Sequence, residues 1–440
     1  MIVSELQLTH VRAIQNAEFR FREGFNLLVG VNGVGKSTVL DALRICLSRV
    51  LRTAAQVPSK KSMAFELGDI RKGLPFLEAS VFFDIVGEEF RYSRLEWRDE
   101  VAKDDTKRID ALRREILDSE RLRDRPRNLL RDLVDSNTLP DSDNFAPGVN
   151  ELRPKLKALP NPALGVFFAT NRSVLTSSGS AKGKSAGGKA SAYADALGPR
   201  AWNLREFADW LKAQLTLANE TPIAAKHADV IQRAATKFLP DCTGLRPSDG
   251  TDGTLMIEKA GTVLDVRQLS DGERGILAMV LDLARRLSQA NEGSSDPLAE
   301  GQAVVLIDEI DLHLHPKWQR QIIHNLRAAF PRCQFIATTH SPQVIGEVEH
   351  DRIQIIAGGQ VYSPSHSYGV DSSRVLEEVM DSEPRTKEIQ DLLTEASKII
   401  GRQDFARGRA LLAQLAERLG ENDPEVTRIS TLLDFVEGKE

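Results

Sequence analysis

The run Gly30-Val31-Asn32-Gly33-Val34-Gly35-Lys36-Ser37 constrains this chain more than any other feature. It joins an apolar strand, Phe25-Asn26-Leu27-Leu28-Val29, to a helix whose apolar side carries Val39, Leu40, Leu43, Ile45 and Leu47. A glycine-rich loop in that setting is a phosphate cradle: glycines let backbone N–H groups turn toward phosphate oxygens, and the helix N-terminus adds partial positive charge. Lys36 is then expected to reach the terminal phosphates and the Ser37 hydroxyl to ligate magnesium. The expected nucleotide-binding set is Asn32, Gly33, Gly35, Lys36, Ser37 and Thr38, with ATP and Mg2+ as cofactors.

Three further elements carry chemistry. Val304-Val305-Leu306-Ile307 reads as a buried strand ending in Asp308 and Glu309, and the carboxyl end of a strand is where open α/β sheets bind ligands. Asp308 is expected to hold magnesium through water and Glu309 to polarise the attacking water. Leu269-Ser270-Asp271-Gly272-Glu273-Arg274 precedes a helix, so Ser270 and Glu273 spell a capping box. The same hydroxyl and helix N-terminus would also suit a phosphate arriving from elsewhere. His340 follows the apolar strand Gln334 to Thr338, expected to neighbour the Asp308 strand, and contact with the γ-phosphate is its expected role.

Strands alternating with helices imply an α/β fold with a helix-covered parallel sheet. The chain has 440 residues, enough for two or three domains, and 41% hydrophobic with 28% charged residues is a globular composition. Five regions are read. Residues 1–97 form a first lobe with the phosphate loop, including hairpins over Val3 to Phe21 and Leu77 to Leu95; 98–160 form a charged helical insertion; and 161–268 hold a core strand, a Ser/Gly/Lys-rich flexible loop and a helical lobe. Residues 269–369 carry the Ser270 element, the Asp308 strand and His340, and 370–440 form a C-terminal helical region suited to partner docking. The three cysteines show no paired spacing, the N-terminus lacks a secretory pattern, and no run of about 18 apolar residues occurs. Cytoplasm is the expected compartment, with no membrane partner. A net charge of −5 does not advertise a nucleic-acid binder and leaves DNA open as a partner.

The order of phosphate loop, LSDGE element, Asp-Glu strand and histidine resembles the ABC ATPase head of the SMC, RecF and OLD group, over most of residues 1 to 365. That resemblance implies a mixed sheet core with an antiparallel β lobe and a helical lobe. It further implies that Ser270 and Gly272 act in trans on the ATP of a second copy, giving a homodimer or higher oligomer through the ATP sites, and that Asp311 communicates across it. Two departures stand out. Asp271 and Glu273 replace the glycine and glutamine usual in transporters. The magnesium-binding glutamine of the first lobe is missing, since no Gln occurs between Gln56 and Gln214. Asn171 is the candidate substitute, and slow turnover is the expectation.

Asp308-Glu309-Ile310-Asp311-Leu312-His313-Leu314-His315-Pro316, then Phe335 to Gln343, Ser367 to Ser372 and the helical tail are most similar to the compact ATPases of bacterial anti-phage systems, the PtuA type of Septu and those of retrons. The resemblance implies an ATPase that regulates or positions a separate nuclease effector, HNH-type in Septu, and has no nuclease activity of its own. The alternative is a RecF- or SMC-like repair ATPase that clamps duplex DNA, which the Arg-rich insertion and the loop lysines would suit.

Overall fold

A computed structural model describes residues 1–55, 63–74, 76–97, 142–146, 148–159, 163–173, 175–176, 188–199, 201–239, 241–250, 253–378, 380 and 385–438. The chain divides into two compact units, Met1–Val370 and Asp371–Glu440.

The first unit contains two large sheets. β1 (Ile2–Val11), β2 (Ile14–Arg20), β4 (Phe76–Ile85), β5 (Glu88–Trp97) and β6 (Ser142–Ala146) form an antiparallel sheet in the order β2-β1-β4-β5-β6. Its alternating sequences bury one face, as in β4, where Leu77, Ala79, Val81, Phe83 and Ile85 are buried at every second position. The second sheet runs β16-β15-β3-β14-β13-β7, built from β3 (Phe25–Val29), β7 (Leu164–Phe168), β13 (Ala303–Ile307), β14 (Gln334–Thr339), β15 (Ile353–Ala357) and β16 (Gln360–Tyr362). β15, β3, β14, β13 and β7 are mutually parallel and β16 is an antiparallel edge. β3, β7, β13 and β14 are buried at every residue, as continuous apolar runs covered on both faces must be.

Helix α1 (Lys36–Ala55) supplies Val39, Leu40, Leu43, Cys46, Leu47 and Val50 at helical spacing to one apolar core. That core also takes Leu6, Phe19, Val81 and Phe83 from the antiparallel sheet and Leu28, Val304, Leu306 and Ile336 from the parallel one. Gln334 ties the sheets through hydrogen bonds, accepting from the Val3 N–H at 2.8 Å and donating to the Val3 carbonyl at 2.7 Å. Both polar groups of a buried amide are thereby satisfied.

Between the sheet strands lie α2 (Val149–Ala158), α3 (Lys189–Tyr193), α4 (Leu204–Leu217), α5 (Pro222–Phe238), α6 (Asp271–Ala290) and α7 (Pro316–Ala329). A small sheet of β10 (Cys242–Pro247), β11 (Leu255–Lys259) and β12 (Thr262–Asp265) precedes α6, and β8 (Leu175–Thr176) pairs with β9 (Trp202–Asn203). Helix α6 is buried on nearly all sides, and its Arg286, fully enclosed, donates to Asp282 at 2.8 Å and to the Ala194 carbonyl at 3.2 Å. The second unit consists of a short helix and then α8 (Lys387–Gly401), α9 (Phe405–Leu419) and α10 (Pro424–Glu437), closed around Ala396, Leu415, Ile429 and Leu433.

The expectation of a helical insertion over 98–160 needs correction. Residues 142–146 form β6, paired antiparallel with β5 from Arg91↔Ala146 to Leu95↔Ser142, and among the described residues of this stretch 149–158 are helical. The edge of β5 presents unpaired backbone groups, and a strand satisfies them whatever its charge density. The charged stretch 98–141 and most of the Ser/Gly/Lys-rich loop, 177–187, lie outside the described residues. No helix among the described residues is long and apolar enough to cross a membrane.

Candidate nucleotide site

Four neighbouring strand ends build the site. In the register of the parallel sheet Thr339 lies beside Val29, Ile307 beside Ala337 and Phe168 beside Ile307, so the carboxyl ends of β3, β14, β13 and β7 arrive side by side. After β3 the chain turns through Gly30, Gly33 and Gly35, all at positive φ, and enters α1 at Lys36. The space at Gly30 is closed, because a Cβ there would lie 2.6 Å from the Ile356 carbonyl oxygen of β15. Asn32 and Gly33 are exposed, and Thr38 is buried at the start of α1.

Lys36 curls back over the loop, donating to the carbonyls of Gly30 at 2.8 Å and Val31 at 3.0 Å. Burial holds its pKa below that of a free lysine, while Asp308, Glu309 and Asp311 supply the opposing negative field. Ser37 Oγ stands 3.1 and 3.3 Å from the two carboxylate oxygens of Asp308. A hydroxyl and a carboxylate are hard oxygen donors, and neighbouring ligands of an octahedral Mg2+ stand about 3 Å apart, so this pair fits that ion.

The two threonines ending β14 organise the carboxylates. Thr338 Oγ1 donates to Asp308 Oδ1 at 2.7 Å and accepts from the Glu309 N–H at 2.7 Å. Thr339 Oγ1 donates to Asp311 Oδ1 at 2.6 Å. Glu309 itself adopts φ +49°, a left-handed conformation uncommon for any residue but glycine. His340, next along, is half-buried. Burial and then the positive field of Lys36 push its pKa below the ordinary imidazole value, with Asp311, Glu309 and Asp308 pulling the other way. The neutral ring keeps one N–H donor for an anionic neighbour.

Ser270 and Gly272 have their contacts elsewhere. Ser270 caps α6 in a reciprocal box with Glu273, and its hydroxyl also donates to Glu273 Oε2 at 3.0 Å. Glu273 is further held by Lys259 of β11 at 2.5 Å, and its pKa falls: burial alone would raise it, but the bonds from Lys259 and Ser270 outweigh that. Gly272 presses on the turn after Glu309: a Cβ added to it would meet the His313 carbonyl. His315 caps α7, its Nδ1 accepting from the Lys317 N–H at 3.3 Å.

Asn171 is exposed on the turn Thr170–Ser173 that follows β7, and its neighbour Arg172 is the residue that reaches the site. The Arg172 guanidinium is buried and donates to the carbonyls of Asp308 at 2.7 Å, Glu309 at 2.5 Å and Ala169 at 3.3 Å. Burial brings its pKa down to about 10 against the field of Asp311, Asp308 and Glu309. Arg172, Thr338 and Thr339 are thus additions to the sequence-based set. For the threonines a signal existed, since aligning two parallel apolar runs places Thr338 opposite Asp308. For Arg172 none did.

A phosphate loop, a strand ending in paired carboxylates and a capped LSDGE helix, set in a mixed sheet with an antiparallel lobe, define an ATPase of the ABC type. Residues 5–157 match the family model described as "AAA domain", and residues 187–346 the one described as "AAA domain, putative AbiEii toxin, Type IV TA system". The "Retron Ec83 probable ATPase" of Escherichia coli is 27% identical over 97% of this chain and 85% of its own length. "Septu protein PtuA" of Bacillus thuringiensis is 21% identical over 92% of this chain and 90% of its own. The "Retron Vc95 probable ATPase" of Vibrio cholerae serotype O1 biovar El Tor is 42% identical over 29% of this chain and 24% of its own length. The chain is a homologue of these retron and Septu ATPases.

Proposed function

We propose that two copies of this chain close on each other around ATP and magnesium, and that the nucleotide state of the pair governs a separate nuclease effector in an anti-phage defence system. One observation carries the dimer reading. Lys36, Ser37, Asp308, Glu309, Asp311 and His340 share one electrostatic neighbourhood, whereas Ser270 makes its bonds to Glu273. Such a division suits a composite site in which Ser270 and Gly272 serve the nucleotide of the other copy.

In this reading the carbonyls of Gly30 and Val31 hold Lys36 until the terminal phosphates replace them as its partners. Ser37 and Asp308 hold the magnesium ion, which when bound neutralises charge developing on the phosphate oxygens. Glu309 orients and polarises the attacking water, and neutral His340 donates a hydrogen bond to the γ-phosphate. Asp311, tied to Thr339, faces the partner copy.

The retron and Septu resemblance supports the output: an HNH-type effector that this ATPase restrains or positions, with the helical unit Asp371–Glu440 as the docking element. Two experiments test the reading. Glu309→Gln should trap ATP-bound dimers in size-exclusion chromatography, and Lys36→Ala should abolish ATP binding. Unchanged hydrolysis in Glu309→Gln would remove Glu309 from its role. Co-expression with an HNH-type nuclease, where one is encoded beside it, should yield a complex that a chain ending at Val370 does not form. Steep salt-dependent duplex binding by the isolated chain would favour the DNA-clamp alternative instead.

A further inference from the structure

We infer that Arg172, together with Thr338, is a positioning residue for hydrolysis: the two grip the peptide groups on both sides of Glu309 and so set the direction of its carboxylate. The inference rests on the assignment of Glu309 to the attacking water. Its basis is a set of bonds around one residue, to which the Leu312 N–H adds one at 3.0 Å on the Glu309 carbonyl. The peptide between Asp308 and Glu309 is held at its carbonyl by Arg172 at 2.7 Å and at its N–H by Thr338 Oγ1 at 2.7 Å. The next peptide, between Glu309 and Ile310, is held at its carbonyl by Arg172 at 2.5 Å and at its N–H by the Thr338 carbonyl at 3.0 Å.

Backbone rotation at Glu309 is rotation of these two peptide planes about its Cα. Fixing both planes therefore fixes φ and ψ together. The conformation fixed is one a side chain bearing a Cβ resists, φ +49°. Relaxation to an ordinary strand or helical conformation would swing the Glu309 side chain away, so the grip has to be two-sided. A planar guanidinium suits the task, because its rigid fork holds two N–H groups in one plane, whereas the N–H groups of an ammonium diverge and rotate. A side chain with relative exposure of only 6% also gains nothing from solvent in this place. Arg172 stands on the turn Thr170–Ser173 after β7, and from there it acts on the backbone of Glu309.

The experiment uses the full chain. Arg172→Ala should lower kcat by on the order of 10- to 100-fold while the affinity for ATP, set by Lys36, stays within about twofold. Millimolar guanidinium should restore part of that turnover in Arg172→Ala and leave the wild type unaffected. Arg172→Lys, which keeps the charge but loses the fork, should fall between the two. Should Arg172→Ala fail to fold, Thr338→Val tests the opposite side of the same peptide and should show the same loss in kcat, with Thr338→Ser near wild type. A folded Arg172→Ala with kcat within twofold of wild type, or with ATP affinity falling in step with kcat and no guanidinium response, overturns the inference. Glu309→Gln is the control. If it hydrolyses ATP at the wild-type rate, the assignment of Glu309 has failed, and that result is distinct from any outcome at Arg172.

Discussion

Gly272→Ala would test how the LSDGE helix is joined to the carboxylate turn. A Cβ at Gly272 would lie inside the contact distance of the His313 carbonyl oxygen, 3.2 Å from its carbon and 3.3 Å from Leu314 Cδ2. Ordinary packing requires about 3.5 Å or more, so the helix start and the turn must part by on the order of 1 Å. Neither side yields easily. His313 is itself at φ +60°, and its turn is closed by bonds from the Leu312 N–H to the Glu309 carbonyl and from the Leu314 N–H to the Asp311 carbonyl, both 3.0 Å. Overpacking of this kind costs about 1–3 kcal/mol. The displaced turn carries Glu309, and misplacing a reacting group by about 1 Å costs on the order of 100-fold in rate. Urea unfolding without nucleotide and steady-state ATP hydrolysis read the two effects separately. A Gly272→Ala protein within about 0.5 kcal/mol of wild-type stability in the absence of ATP would refute the packing argument, since surface-like substitutions fall in that range.

Three other outcomes are expected. His227 and His340 both have folded pKa values below the ordinary 6.5, burial being the first cause for each. The unfolded chain then takes up protons near 6.5 before the folded one does, so stability is full well above that value and falls as pH drops through and below it. A flat unfolding midpoint across that drop would contradict it. Asp282→Ala leaves the enclosed Arg286 without its carboxylate and should cost about 3–5 kcal/mol, whereas Arg286→Met leaves Asp282 a bond from Arg285 at 3.0 Å and should cost less; denaturant titration giving the opposite order would refute this. In the second unit, Leu415→Ala removes a fully buried side chain and should cost about 2–5 kcal/mol there, so limited proteolysis should cut within Asp371–Glu440 first. Cleavage no faster than in the wild type would argue against that core.

The elements of the candidate nucleotide site were legible because each combines an apolar run with a polar terminus at fixed spacing. Gly30 to Ser37 between strand and helix, Ala303 to Ile307 ending in Asp308, and the Ser270–Glu273 box all appear in the structure where the pattern puts them. β15 was not legible: it is a five-residue strand in which the buried Gln354 interrupts the apolar pattern, its side chain accepting from the Arg20 N–H. β6 was hidden by its composition, because a strand that completes an edge needs backbone groups more than apolar side chains. Arg172 was hidden for a different reason. Its partners are main-chain carbonyls 136 and 137 positions away, and nothing in the partner side chains advertises that contact.

The position of β3 has a consequence for how the protein is made. Its two neighbours, β14 and β15, both come from beyond residue 330, so β3 and the phosphate loop leave the ribosome about 300 residues before either of them. At bacterial synthesis speeds, that interval is on the order of half a minute. During it a largely apolar strand waits with both edges open, exposed to pairing with other chains. A truncated product would carry the phosphate loop on a strand with neither neighbour, and the wait favours shielding by a chaperone.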